Sequence, residues 1–156
     1  KLIPLTILKA INQQKIPIYG TGENIRDWIY VEDHVDALIG ISLKGIAGSS
    51  FCIGSNNEIS NKKIVKMICN YLDQIRPCKN SYSQLITNVP DRPGHDFRYA
   101  IDNSFLKKVL GWDTNKNFQD RLYQTINWYL ENNLWCKNIQ EKSNYYGQRL
   151  GKPKIT

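Results

Sequence analysis

The stretch Pro17-Ile-Tyr-Gly-Thr-Gly-Glu-Asn-Ile-Arg-Asp-Trp-Ile-Tyr-Val-Glu-Asp-His-Val-Asp-Ala-Leu38 decides how the rest of this chain is read. It opens on a short apolar run ending in Tyr19 and breaks on Gly20 and Gly22. It presents Arg26, enters a second apolar run, Trp28 to Val31, and reaches an acidic helix start at Glu32 and Asp33. That order predicts strand, exposed loop, strand, helix. An arginine on a glycine-bearing loop between two buried strands is well placed to hold an anion. The plainer reading is a turn in which glycine takes a positive φ and Arg26 pairs with Asp27 or Glu23, a surface bond of little energetic value. The two glycines do not open a dinucleotide-binding Gly-x-Gly-x-x-Gly. Position 25 is isoleucine, and the segment that follows is predicted as strand, not helix.

Working outward, the preceding residues 4–14 read as a helix with Leu5, Leu8 and Ile11 on one face and Pro4 in its first turn, where a missing N–H costs nothing. Lys1 stands just before it, and its simplest reading is a solvated lysine. Downstream, residues 33–44 read as a helix carrying Val35, Leu38, Ile39 and Leu43 inward, with His34 structural in its first turn and Gly45 and Gly48 ending it. Ser50 to Ile53 reads as a strand. Asn61 to Ile75 reads as a helix with Ile64, Ile68, Leu72 and Ile75 on its apolar face. Ser60 or Asn61 is its natural N-cap, and free N–H groups at such a helix start suit a phosphate or sugar oxygen. Leu85 to Val89 reads as a strand and Tyr99 to Ile101 as extended. A short helix follows to Leu110 with Gly111 as its C-cap, and a long helix spans 117–134. From Asn138 on, the chain is polar and reads as a disordered tail. The alternative has Tyr145, Tyr146 and Arg149 folding back over a site.

Asp91-Arg92-Pro93-Gly94-His95-Asp96 is the most chemically loaded run. Pro and Gly set a tight turn that would hold Arg92 and His95 in a fixed geometry. An ordinary exposed turn with its charges paired among themselves fits equally well. The planar guanidinium fork matches phosphate oxygens. Arg26 and Arg92, with an asparagine at a helix start and an aromatic such as Tyr19, would suit a nucleotide diphosphate.

Composition narrows the function. The 156 residues predict one domain with a real core, and hydrophobic and charged contents of 41% and 22% are ordinary for a globular protein. No apolar run reaches the roughly 18 residues a membrane span needs, and no leader pattern opens the chain, so the expected location is cytoplasmic. The net charge of +7 comes mainly from 15 Lys against 6 Arg, scattered without a basic stripe, which argues against nucleic acid. Cys52, Cys69, Cys78 and Cys136 form no Cys-x-x-Cys; Cys52 and Cys69 read as small packed hydrophobes, and neither a metal site nor a disulfide framework is expected. No tyrosine has a lysine four residues on, and no strand-to-helix glycine fingerprint or Ser-His-Asp pattern is present. The abrupt start at Lys1-Leu2-Ile3-Pro4 reads as part of a longer protein. Helices alternating with short strands predict an α/β fold, α+β locally.

Arg26-Asp27-Trp28-Ile29-Tyr30-Val31-Glu32-Asp33 resembles the Arg-Asp-aromatic-x-Tyr/His-Val-x-Asp element of the extended short-chain dehydrogenase/reductases that act on nucleotide sugars. Pro17-Ile18-Tyr19-Gly20, Asp91 through Asp96, Leu110-Gly111-Trp112 and Trp128-Tyr129-Leu130 follow in that family's order, and the Asp-Arg-Pro-Gly-His-Asp turn narrows the resemblance to the dTDP-glucose 4,6-dehydratases. The resemblance implies that residues 1–137 are the nucleotide-sugar-binding C-terminal part, followed by a polar tail at 138–156. It implies that NAD, the catalytic groups and most of a homodimer interface belong to an N-terminal Rossmann domain absent from this chain. No residue here is therefore expected to be catalytic. The family's dTDP-glucose contacts, carried onto matching positions, are Lys1 and Leu2 at the sugar and diphosphate and Pro17, Ile18 and Tyr19 along the thymine and deoxyribose. Arg26 falls at the diphosphate, Asn61 at the nucleotide, and Asp91, Arg92, Pro93, Gly94 and His95 close over it. A part that packs on a Rossmann sheet would expose an apolar face without it. A related UDP- or GDP-sugar epimerase or dehydratase, and a non-catalytic decayed binding module, remain as alternatives.

Overall fold

A computed structural model describes residues 1–114 and 117–146. Helix α1 spans Leu2–Ile11, strand β1 Ile16–Tyr19, β2 Ile25–Asp27, helix α2 Val31–Lys44, strand β3 Glu58–Ser60 and helix α3 Asn61–Ile75. A 3-10 turn, Tyr82–Leu85, leads to strand β4 Ile86–Val89, then helices α4 Ser104–Leu110, α5 Phe118–Glu131 and α6 Asn133–Ser143. The expected mixture of helices and short strands is present. It is laid out as two separate two-stranded sheets. β1 pairs parallel with β4, from Ile16 opposite Ile86 to Tyr19 opposite Val89. β2 pairs antiparallel with β3, Ile25 opposite Ser60 and Asp27 opposite Glu58.

The core lies between α1, α3, α5 and the β1–β4 pair. Ile7, Ala10, Ile64, Val65, Ile68, Cys69, Leu72 and Ile126 have no exposed surface. Alternation along β1 turns Ile16 and Ile18 into this core and leaves Pro17 and Tyr19 on the other face. α3 is the most amphipathic element and carries much of the core. Its Ser60 cap accepts the Lys63 N–H, as the sequence predicts, but Ile75 is exposed where the helix ends and stays outside the core.

Several expectations give way. α1 begins and ends earlier than residues 4–14: Lys1 is its N-cap, and just past its end Gln13 takes a left-handed φ of +54° that stops it. Trp28 to Val31 is not a strand. The ladder forms three residues earlier, at Ile25–Asp27, because Glu58–Ser60 is its partner. Ser50 to Ile53 joins neither sheet. The Trp28 backbone N–H instead donates to the Asn57 carbonyl (3.1 Å), its indole N–H donates to the Ile59 carbonyl (2.9 Å), and Tyr30 is the extended N-cap of α2. Val35, Leu38, Ile39 and Leu43 point outward, with exposures of 44–75%. α2 buries Asp33 and Ala37 instead, and Gly40 faces Leu110 of α4, so small residues set the packed side. Cys52 is exposed rather than packed, while Cys69 and Cys136 are buried. Residues 138–143 are helical within α6, anchored by buried Cys136, and Tyr145 borders a cleft against α1. Arg149 lies outside the described residues. No helix among the described residues is long and apolar enough to cross a membrane.

Candidate functional site

Gly20 and Gly22 fold the chain back at the end of β1, with φ of +56° and +77°. A Cβ on Gly22 would lie 2.5 Å from the Ile18 side chain, and one on Gly20 would press on the Asp91 carboxylate at 3.0 Å. Gly22 therefore needs glycine for space as well as for φ, whereas at Gly20 the positive φ decides. The turn lies across the start of α3. The Asn61 N–H donates to the Asn24 carbonyl (3.0 Å), the Lys62 N–H to the Gly22 carbonyl (2.9 Å) and the Lys63 N–H to the Ser60 hydroxyl (3.3 Å). These three first-turn N–H groups are engaged internally and are not free for a phosphate, contrary to the expectation for this helix. What Asn61 offers a ligand is its half-buried side chain.

The Asp91–Asp96 turn is secured at both ends. At its start, the Gly20 N–H donates to the Val89 carbonyl (2.9 Å) and the Asn88 amide to the Gly20 carbonyl (2.6 Å). The Asp91 carboxylate accepts the Arg92 N–H (2.8 Å) and meets Nδ1 of His95 at 2.7 Å. The hydrogen bond to His95, then that from the Arg92 N–H, hold the Asp91 carboxyl below its ordinary value. Gly94 takes φ +66° at the tip. The Tyr19 ring stands edge-on to the His95 imidazole, centroids 6.4 Å apart. No hydrogen bond or ion pair among the described residues engages the Arg92 guanidinium, which stands exposed on this turn.

At the other end, the Asp96 carbonyl accepts from two side chains, Nη2 of Arg26 (2.8 Å) and the amide of Asn24 (3.1 Å). Arg26 is only 8% exposed and lies within β2, not on a loop. Its Nη1 donates to the Ile25 carbonyl (2.6 Å), and its guanidinium lies 4.3 Å from the centre of the Tyr99 ring. It does not pair with Asp27 or Glu23. Asp27 accepts from Ser55 and Asn57, and Glu23 pairs with Lys62. The turn thus brings Tyr19, Asp91, Arg92 and His95 together, with Arg26 and Asn61 joined to it through Asp96 and Asn24. Pro17 shares the outward face of β1 with Tyr19, whereas Ile18 gives its side chain to the core. Lys1 caps α1 and Leu2 packs on the core; Lys1 borders a cleft of about 220 Å³ with Leu5, Tyr129 and Trp135 that shares no lining residue with the turn. Asn24 and Tyr99 were not picked out as site residues from the sequence. Only the placement of Asn24 two residues before Arg26 could have flagged it.

These residues do not fit a dinucleotide. The Gly20–Gly22 turn leads into strand β2 rather than a helix, and the first N–H groups of α3 are occupied by the chain itself. Among the described residues, no group of three or more His, Cys, Asp or Glu could hold a metal ion.

Residues 1–125 match the family described as GDP-mannose 4,6 dehydratase, and the chain belongs to that family. A probable dTDP-glucose 4,6-dehydratase of Sinorhizobium fredii is 48% identical over 151 residues, covering 97% of this chain and 43% of the relative. A dTDP-glucose 4,6-dehydratase of Escherichia coli is 48% identical over 155 residues, covering 97% of this chain and 42% of the relative. The chain therefore spans less than half the length of these relatives. A dTDP-glucose 4,6-dehydratase of Bacillus anthracis in complex with NAD superposes with a TM-score of 0.76 at 37% identity, over 86% of this chain and 40% of that one. The Streptomyces venezuelae dTDP-glucose 4,6-dehydratase DesIV, with NAD and TYD bound, gives 0.79 at 31% identity over the same shares.

Proposed function

We propose that this chain is the nucleotide-sugar-binding part of a dTDP-glucose 4,6-dehydratase, an enzyme that converts dTDP-glucose to dTDP-4-keto-6-deoxyglucose with NAD. The observation that carries the reading is the Asp91–Asp96 turn: it is fixed at both ends, sets its His95 ring edge-on to Tyr19 and presents the exposed Arg92 guanidinium. A guanidinium held on a fixed turn is suited to a diphosphate, and an aromatic ring against the same turn to a base or sugar. The 48% identity to dTDP-glucose 4,6-dehydratases supports the same assignment.

In this reading Tyr19 and Pro17 line the thymidine, with Ile18 contributing only backbone. Arg92 binds the diphosphate, Asn61 reaches the nucleotide from the start of α3, and Lys1 and Leu2 approach the sugar side. Asp91, Pro93, Gly94 and His95 shape the covering turn. Arg26 already spends two terminal nitrogens on carbonyls, so a phosphate would use its remaining donors. NAD, when bound, supplies the hydride acceptor and donor of the reaction. It would be held by the remainder of the enzyme, a Rossmann domain, as would the catalytic acid and base. The partners implied are dTDP-glucose, that domain and a second enzyme copy.

Calorimetry with dTDP, UDP and GDP tests the reading. Binding of dTDP in preference to the other two is expected, with Arg92→Ala weakening it about tenfold or more, as for a charge-assisted bond. Preference for UDP or GDP overturns the dTDP assignment, and failure to bind any of the three favours a non-catalytic module. No turnover of dTDP-glucose with NAD is expected from this chain alone.

A further inference from the structure

Asn24 is nine-tenths buried and unassigned, and it touches both halves of the proposed site. Its exposure is 7%. Its carbonyl accepts the Asn61 N–H at the first residue of α3, and its side-chain amide donates to the Asp96 carbonyl at the last residue of the arginine-bearing turn. One residue therefore spans 37 positions of sequence on one side and 72 on the other. The Asp96 carbonyl it holds is shared with Arg26, whose guanidinium is itself fixed by the Ile25 carbonyl and the Tyr99 ring. Just beyond, the Ile25 N–H donates to the Phe97 carbonyl at 2.8 Å, so the chain leaving the turn is fastened to β2 by backbone as well.

We propose that Asn24 is a positioning residue: it sets the distance between the Asn61 helix start and the turn that presents Arg92, and so tunes the grip on a nucleoside diphosphate without touching it. This rests on the nucleotide-binding reading above. The physics favours the role. A buried amide shorn of its partner costs more than an exposed one, so the bond to Asp96 is maintained in the folded chain. A carbonyl that accepts from two donors, here Asn24 just before β2 and Arg26 within it, is held in direction as well as in distance. The turn itself contains Gly94 at positive φ, exposes most of its side chains and sits at the surface. Its orientation therefore depends on its two fastened ends. The Gly20 and Asp91 contacts fix the first end; Asn24 and Arg26 fix the second.

The test uses the whole 156-residue chain and two readouts. Hydrogen–deuterium exchange of Asn24→Ala is expected to rise severalfold in the segment 91–99 while the buried α3 and β1–β4 amides keep their protection. Unchanged exchange in 91–99, or an equal rise throughout, overturns the proposal. Calorimetry with thymidine diphosphate is expected to show about a tenfold loss for Asn24→Ala. That loss should shrink to less than twofold in an Arg92→Ala background, because the residue acts through Arg92. A full tenfold loss in both backgrounds overturns the coupling, which a merely structural defect would leave additive. Asn24→Ser, too short to reach Asp96, carries the same test if Asn24→Ala fails to fold. Loss of the circular dichroism spectrum in both variants also overturns the proposal, since Asn24 then holds the fold rather than the turn. If the unaltered chain binds no thymidine diphosphate, the nucleotide reading fails, while the exchange experiment still upholds or overturns the tether on its own.

Discussion

Asp91 and His95 close the turn through one short contact, and its consequence is electrical. The hydrogen bond to His95 lowers the Asp91 pKa from its ordinary 3.8 because it favours the ionised carboxylate. A carboxyl whose folded pKa is depressed stabilises the fold above its unfolded value. Here that contribution is complete above pH 3.8 and is lost as pH falls through the lowered folded value. An NMR titration of the Asp91 carboxyl carbon is expected to show a midpoint below 3.8. His95→Ala should move that midpoint back toward 3.8, and a midpoint unmoved by this substitution would show that the contact does not shape the turn. The cysteines sort by environment as well. Burial pushes the Cys69 thiol up to about 11 and raises that of Cys136, whereas Cys52 and Cys78 are exposed. Since the thiolate is the nucleophile, iodoacetamide at pH 8 is expected to label Cys52 and Cys78 in the native chain. Labelling of Cys69 and Cys136 should require denaturant, as mass spectrometry of the peptides would show. At this scale the tight turn at Asp91–Asp96 was legible in the sequence because Pro93-Gly94 announces it. The contacts of Asn24 were not, because they reach across 37 and 72 residues and no local pattern records them.

α3 shows how an element can be read almost completely from its sequence. Ile64, Ile68 and Leu72 recur at helical spacing, Ser60 stands where a cap belongs, and the helix appears at Asn61–Ile75 with that cap made. Ser60→Ala is expected to cost about 1 kcal/mol through the lost Lys63 contact, read as a fall of about 3 °C in the thermal midpoint. Leu72→Ala empties a site with no solvent exposure and should cost about 3 kcal/mol, seen as a lower urea midpoint with an unchanged slope. A change in slope would mean that the unfolding is not two-state. β2 was the opposite case. Trp28 to Val31 is the more strand-like run by composition, yet pairing falls on Ile25–Asp27. A three-residue strand is chosen by its partner, and Glu58–Ser60 lies about thirty residues away, where local propensity has no view. The same displacement moved Arg26 from an exposed loop into a nearly buried strand position, where it also fastens the 91–99 segment through the Asp96 carbonyl.

The whole molecule is lopsided. One side, α1, α3, α5 and the β1–β4 pair, holds a dry core; the other carries α2 with its large apolar side chains outward. Val31, Val35, Leu38, Ile39 and Leu43 lie on that helix with exposures from 44% to 75%, and Ile46 extends the row past its end. The hydrophobic period of α2 was legible in the sequence, but the direction of its face was not, because period alone does not say which neighbour the face meets. Its packed side is made of Ala37, Gly40 and the buried Asp33, which pairs with Arg121 of α5. The Arg121 guanidinium lies 4.4 Å from the centre of the Tyr30 ring, so one cation secures the start of α2 from two directions. The helix is thus held firmly while its apolar row has no cover among the described residues. In the proposed reading that row meets the remainder of the dehydratase. Without it, an apolar patch of this kind drives association. The chain is expected to sediment as concentration-dependent oligomers. The double substitution Leu38→Glu and Leu43→Glu should shift it toward monomer at unchanged helicity, because both positions are outside the core. A chain that is monomeric at all concentrations, or a double variant that associates as before, would place the self-association elsewhere than on α2.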